Sequence, residues 1–401
     1  IQKLLNRHSV YLYYNNLIMQ ELTAEHFLSL FIVLISWILV LFLLTTKSKN
    51  KKSNLILALF FLVNAQDSSG LFASYFLYPY YPGLGMLLNS TVFLKIPLLY
   101  LYLASVIYTD FKFQKKHLWH LVPFLIDFIL FIPRFYFVDF ESQQLFLRQE
   151  KNDMLEVQIS YLLIHFQILV YFIFCFKLIF KYKKLLLENY SNARLFNYKW
   201  LFQFVLLFAI EAFVASFKNL FLFLKLELAF NISYYITSFG ALFFMCWIVL
   251  KALQNPELFR GISSELRLAR NIVIENVQIG NSNSLKQNDI EEIVVLKKHM
   301  LENKPYFNAN LTIEELANQM KIPIKDLSVL INYNLNQHFF DFINGYRIRE
   351  AMNILSNPVK KELTVLEVLY EVGFNSKSSF NTAFKKYTNQ TPTEYRKSFL
   401  K

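Results

Sequence analysis

The chain has 401 residues, 55% hydrophobic and only 17% charged, with Phe 43 and Tyr 24 and a mean hydropathy of +0.32. Soluble domains carry roughly 25% charged residues, so this composition points to lipid rather than water as the main solvent. Two cysteines exclude a disulfide scaffold and a multi-cysteine metal site, and Gly 8 with Pro 10 are too few for a β-rich or low-complexity chain. The formal charge of +12 divides into +9 over residues 1–254 and +3 over 255–401, so the apolar part is the basic part and the total is not by itself a nucleic-acid signal.

Residues 1–25 are polar and tyrosine-rich, begin at Ile1 and lack a signal-peptide layout; Met19 is the expected true start, unless an unusual start codon stands at Ile1. Seven stretches then approach the roughly 20 apolar residues that cross a hydrocarbon core, at about 26–46, 54–78, 84–108, 117–133, 155–180, 197–223 and 228–253. The fourth is the shortest and holds Pro123 and Pro133. Cytoplasmic loops hold the lysines and arginines. The first loop has Lys47, Lys49, Lys51 and Lys52, the third Lys112, Lys115 and Lys116, and the fifth Lys181, Lys183, Lys184, Arg194 and Lys199. The second has no basic residue and the sixth only Lys225, while Arg134, Arg148 and Lys151 of the fourth are offset by four acids. This alternation places the N-terminus outside and the C-terminal segment in the cytoplasm.

Asp67, Lys95, Asp127 and Glu211 fall near the middle of the second, third, fourth and sixth stretches. Each costs roughly 2.5–3.5 kcal/mol on insertion scales unless paired or solvated. Singly, each reads as interhelical glue; as a set, they point to a shared polar cavity able to hold a ligand or a movable ion pair. His165, Gln167, Asn64 and Gln66 read as hydrogen-bonded packing, and Cys175 and Cys246 as small hydrophobes. His117 and His120 share a helix face with no further ligand near, which argues against a metal.

Residues 255–288, with Asn281-Ser-Asn-Ser, read as a linker. From Asp289 helical periodicity returns in two units of one design. Thr312 precedes Ile313-Glu-Glu-Leu-Ala with Glu315 three residues on, a capping box. A turn at Met320 to Pro323 and a helix with Leu327, Leu330 and Ile331 inward follow. Thr364 opens the second unit; its turn is Gly373-Phe374-Asn375, and Ser376 caps a helix with Phe380 and Phe384 inward. Gly373 suits the positive φ of a helix end. Each is a helix-turn-helix, and Phe339 to Leu355 reads as the helix joining them. The fold class is therefore all-α: a seven-helix bundle over 26–254, then two linked helix-turn-helix units over 289–401.

The run "EVGFNSKSSFNTAFKKYTNQTPTEYR", Glu371 to Arg396, resembles the signature of AraC/XylS-type transcription regulators. "LTIEELANQMKIPIKDLSVLIN" and "FDFINGYRIREAMNIL" resemble that family's first helix-turn-helix and linking helix, and the likeness covers about 293–398. The apolar part resembles, more loosely, the seven-helix domain fused to such regulators in Bacteroidetes-type bacteria, through "FLKIPLLYLYLASV", "HLVPFLI" and "KALQNPELF"; Lys95 departs from the small residue expected there. The resemblance implies two helix-turn-helix units entering successive major grooves about 34 Å apart. It implies base-facing positions at Lys325, Ser328, Val329 and Asn332 in the first unit and at Lys377, Ser378, Asn381 and Thr382 in the second. Lys385, Lys386 and Arg396 would hold phosphates. Val329 stands where relatives often place a long polar side chain.

The expectation is a one-component transcription regulator in a bacterial inner membrane and not an enzyme. Its partners would be double-stranded operator DNA, the lipid bilayer and an unknown small or lipophilic ligand, with a homodimer as the simplest coupling; no cofactor and no metal are implied. The rival reading is a transporter or membrane enzyme with a regulatory protein-binding tail, against which no inverted repeat is apparent. A histidine kinase is excluded by the lack of a nucleotide-binding glycine motif. Release of the tail by proteolysis near 276–288 is a third option.

Overall fold

The structure is a computed structural model describing residues 24–46, 51–108, 110–149, 154–192, 195–254, 268–269, 271–272 and 285–399. The expectations for the N-terminal segment with Met19, for Lys47, Lys49, Lys151 and Arg194, and for most of the 255–288 linker with its cleavage region lie outside these residues. The described residues form helices and no strand, and the chain divides into two units, Ile1–Ile179 with Lys199–Ser263, and Phe180–Tyr198 with Ser264–Lys401.

The first unit holds α1 (Ala24–Thr45), α2 (Lys51–Ser68), α3 (Gly70–Phe76), α4 (Pro82–Ser90), α5 (Lys95–Ile107), α6 (Val122–Phe131) and α7 (Phe140–Arg148). It also takes most of α8 (Leu155–Asn189) and of α9 (Leu195–Phe223) and all of α10 (Glu227–Gln254). Among the described residues, six segments are long and apolar enough to cross a membrane: Glu25–Thr45, Pro82–Ile107, Lys115–Tyr136, Leu155–Asn189, Tyr198–Phe223 and Glu227–Lys251. The stretch expected at 54–78 differs. It is split at Ser69, whose hydroxyl bonds the Gln66 carbonyl at 2.8 Å, with Gly70 restarting the helix; serine–glycine pairs interrupt helices by competing for backbone groups and by low propensity. Pro123 sits in the first turn of α6, where no N–H is needed, and Pro133 lies in the π-turn that follows.

α1 packs on α2 and α10, and α2 on α5. Phe60, Leu99, Leu103, Ile107, Phe204 and Val205 are fully enclosed, with Phe204 stacked between Trp200 and Phe244. The opposite faces stay uncovered: Phe27, Leu30, Phe31, Leu34, Ile38 and Leu41 of α1 and Phe239 and Phe243 of α10 are all exposed. Exposed apolar patches of this extent are rare on water-soluble monomers.

The second unit is built on α11 (Leu285–Glu302), α12 (Ile313–Met320), α13 (Ile324–Val329), α14 (Phe339–Ser356), α15 (Val365–Glu371), α16 (Lys377–Thr388) and α17 (Pro392–Phe399). It has two cores. Leu296, Leu316, Leu327, Ile331, Phe339 and Ile343 form one; Ile348, Leu355, Leu369, Val372, Phe380 and Phe384 form the other. The two halves of α14 serve one core each, so the linking helix sets the spacing of the two helix-turn-helix units.

The helix starts follow from local chemistry. Thr312 N–H donates to Glu315 Oε2 at 3.0 Å while Glu315 N–H donates to Thr312 Oγ1 at 3.1 Å. Thr364 and Glu367 repeat this, and Thr391 with Glu394 forms a third box. Those backbone N–H groups hold the Glu367 and Glu394 carboxyls below their ordinary value of 4.5. A carboxyl depressed in the folded state contributes stability that is present above its unfolded value and is lost as pH falls through the folded one. Helical protection over 365–399 is therefore expected to weaken on acidification below about pH 4.5. A Glu367→Gln/Glu394→Gln variant, which keeps the caps without titrating, should lose less of it; amide exchange read against pH checks this.

Candidate nucleic-acid interface and a charge-lined cavity

In the second helix-turn-helix, Gly373 at φ 90 turns the chain, and Ser376 Oγ accepts the Ser379 N–H at 3.2 Å to start α16. Phe380, Ala383 and Phe384 point into the core. That fixes the outer face by helical spacing. Lys377, Ser378, Thr382 and Lys385 are exposed and Asn381 half-buried, and none of the five has a side-chain hydrogen bond or ion pair to the described chain. Two cations, one amide and two hydroxyls on one helix face can reach a phosphate and base edges.

The first unit is different. Lys325 is exposed and Val329 half-buried, but Ser328 is buried at 3% and Asn332 uses its side chain internally. Asn332 Oδ1 accepts the Phe339 N–H at 2.9 Å, and its Nδ2 donates to the Glu188 carbonyl at 3.2 Å and to Ser328 Oγ at 3.3 Å. The expectation that Ser328 and Asn332 face outward is thus corrected for this structure, because an amide with three partners has little left to offer. The other two residues expected at phosphates, Lys386 and Arg396, stand in different surroundings. Lys386 Nζ lies 2.6 Å from Asp341 Oδ1 and braces α16 to α14. Arg396 is half-buried, with Nε and Nη2 enclosed and unbonded among the described residues.

Arg347 of α14, absent from the sequence reading, holds the unit together. It is 1% exposed, and its guanidinium donates to the carbonyls of Tyr306 (2.7 Å), Asn308 (2.8 Å) and Ser191 (3.3 Å), to Ser191 Oγ (3.1 Å) and to Asn344 Oδ1 (3.1 Å). No carboxylate is among these partners. Burial lowers its pKa to about 10, so it stays charged at neutral pH. The available signal was its position: Phe339, Ile343 and Arg347 recur every four residues on the apolar face of α14.

In the first unit of the chain, Asp67, Lys95, Asp127 and Glu211 all line one cavity of about 520 Å³. Lys95 Nζ lies 3.0 Å from Asp67 Oδ2 and 5.5 Å from the Phe208 ring centre. Asp127 accepts from Ser160 Oγ. Lys218, seven residues beyond Glu211 on α9, also lines the cavity and was missed, although its charge inside the 197–223 stretch was visible. α8 contributes Val157, Ser160, Tyr161, Ile164, His165 and Ile168 to the wall. Gln167 donates to the Phe93 carbonyl at 2.9 Å. His117 accepts from the Gln114 N–H and His120 meets the Tyr171 hydroxyl, so each ring already has a partner.

Residues 316–398 match a family described as a helix-turn-helix domain. The chain is 27% identical over 151 residues to an uncharacterized HTH-type transcriptional regulator of Bacillus subtilis, covering 36% of this chain and 48% of that protein. It is 31% identical over 118 residues to another from Pseudoalteromonas carrageenovora, covering 28% and 65%. The Msm operon regulatory protein of Streptococcus mutans is 24% identical over 91 residues, covering 23% and 32%. The chain therefore spans less than two thirds of each of these relatives. No solved structure matches it. The second unit contains a helix-turn-helix domain, and its relatives are transcriptional regulators.

Proposed function

We propose that the protein is a membrane-embedded one-component transcription regulator of the AraC/XylS type. Its C-terminal helix-turn-helix units bind operator DNA in the cytoplasm, and its apolar bundle senses a ligand. The observation that carries the DNA reading is the α16 face, with Lys377, Ser378, Asn381, Thr382 and Lys385 turned outward and none bonded to the described residues. The six bilayer-length helices and their uncovered apolar faces support lipid as the bundle's surroundings, with the α2–α3 pair as a seventh crossing interrupted at Ser69. Within the cavity Lys95 and Lys218 stand among three acids, Asp67, Asp127 and Glu211, which suits a small lipophilic molecule with a polar or zwitterionic end. Such a ligand acts only if it binds two bundle arrangements with different affinity.

The test is chromatin crosslinking of the full-length protein against a Lys377→Ala/Asn381→Ala/Thr382→Ala variant, with membrane fractionation of the same cells. Discrete sites lost in the variant, with both proteins in the membrane fraction, are the expected result. An equal diffuse background would sink the DNA reading. On a recovered site, Asn381→Ala should cost about 1–3 kcal/mol at one base position. Lys385→Ala should weaken all sequences alike and lower the salt slope by about one; filter binding at several salt concentrations separates the two.

A further inference from the structure

α8 is longer than a bilayer requires. Its 35 residues rise about 52 Å, against a hydrocarbon core of about 30 Å. Its last ten residues and the turn after them belong to the second unit, and Tyr182, Leu185, Leu186, Glu188, Asn189 and Ser191 are buried there. The docking is specific at the backbone. Tyr190 pairs with Thr312 in an antiparallel bridge, Ser191 N–H donates to the Leu311 carbonyl at 3.1 Å, and Arg347 holds both oxygens of Ser191. One turn earlier, the Glu188 carbonyl accepts from Asn332, on the Lys325–Ser328–Asn332 face of the first recognition helix and the turn that continues it. Among the described residues no such segment meets the matching face of α16.

We infer that residues 182–192 form a lock on the first helix-turn-helix. While docked, they occupy part of the face that would enter a DNA groove, so only the second unit is free to bind. Two-groove binding requires the segment to let go. The lock is the far end of the same helix that supplies six side chains to the cavity wall, so a ligand that shifts α8 acts on the lock through one continuous element. This inference rests on the regulator reading above.

The test joins lock to domain reversibly. Tyr190 and Thr312 stand directly opposite each other in the bridge, where paired Cα atoms lie about 4.5–5.5 Å apart, within the span of a disulfide. Full-length Tyr190→Cys/Thr312→Cys protein, in a Cys246→Ala background and reconstituted in lipid nanodiscs, is footprinted oxidised and reduced. The probe is a duplex enriched from a random-sequence library by the wild-type protein. Reduced protein should protect two grooves one helical turn apart. The oxidised form should protect one and bind at least tenfold more weakly, with recovery on reduction. Equal footprints and affinities in both states, or failure of the cysteines to join, overturn the lock alone. Failure of the wild type to enrich any sequence removes the regulator reading, and the lock falls with it.

Discussion

Gly373→Ala is expected to open the second helix-turn-helix, with a loss of about 2–5 kcal/mol. Two effects add. The backbone stands at φ 90, where an L side chain is strained by roughly 1–3 kcal/mol. The new Cβ would also lie 2.5 Å from the Tyr306 carbonyl oxygen and 2.8 Å from that of Phe307. Both are backbone atoms of a turn whose Tyr306 oxygen is already held by Arg347 Nε at 2.7 Å, so a shift would cost that bond. Overpacking of this kind costs about 1–3 kcal/mol. The measurement is amide exchange in the full-length protein. Since each 1.4 kcal/mol is tenfold, slowly exchanging amides over 365–388 should open roughly 30-fold to several thousand-fold more often. Gly345→Ala is the control. Its Cβ would meet only the hydroxyl end of the Tyr387 side chain, at 3.1 Å, in a helix interior where alanine is favoured; an effect as large as that at Gly373 would refute the argument.

Arg347→Met should cost about 3–5 kcal/mol, because the buried acceptors facing the guanidinium would lose their donor without regaining water. Methionine preserves much of the volume, so the loss reports hydrogen bonding rather than a cavity. Arg347→Lys keeps the charge but cannot present five donors in a planar fork, and should fall between the two. Two of the five bonds end on Ser191, so both variants should raise amide exchange over 188–192 as well as in α14. If 188–192 kept its wild-type protection while α14 lost its own, the tie between the two would be disproved.

The local elements of the second unit are written in short-range sequence patterns. Thr312 with Glu315 and Thr364 with Glu367 are capping boxes, Ser376 caps α16, and Gly373 takes a positive φ. Each depends on groups within a few residues of one another, so spacing alone carries the information. The inward positions Leu327, Ile331, Phe380 and Phe384 followed from helical period in the same way. The interrupted 54–78 segment was less legible, because hydropathy averages over Ser68-Ser69-Gly70 and hides the break.

The sequence by itself determined an all-α chain, an apolar part with bilayer-length helices, and two capped helix-turn-helix units at its C-terminal end. It also identified four charges in the apolar helices, but not that Lys218 joins them around one cavity. Tertiary structure decided what each outward-looking position meets. Ser328 and Asn332 have the spacing of a groove-facing pair, yet Asn332 bonds a carbonyl 144 residues away. Lys386 finds Asp341 at a separation of 45, and Arg347 finds Ser191 at 156. Periodicity states which way a side chain points from its own helix axis. Whether that direction holds water, DNA or another part of the chain depends on long-range packing, which no local pattern encodes.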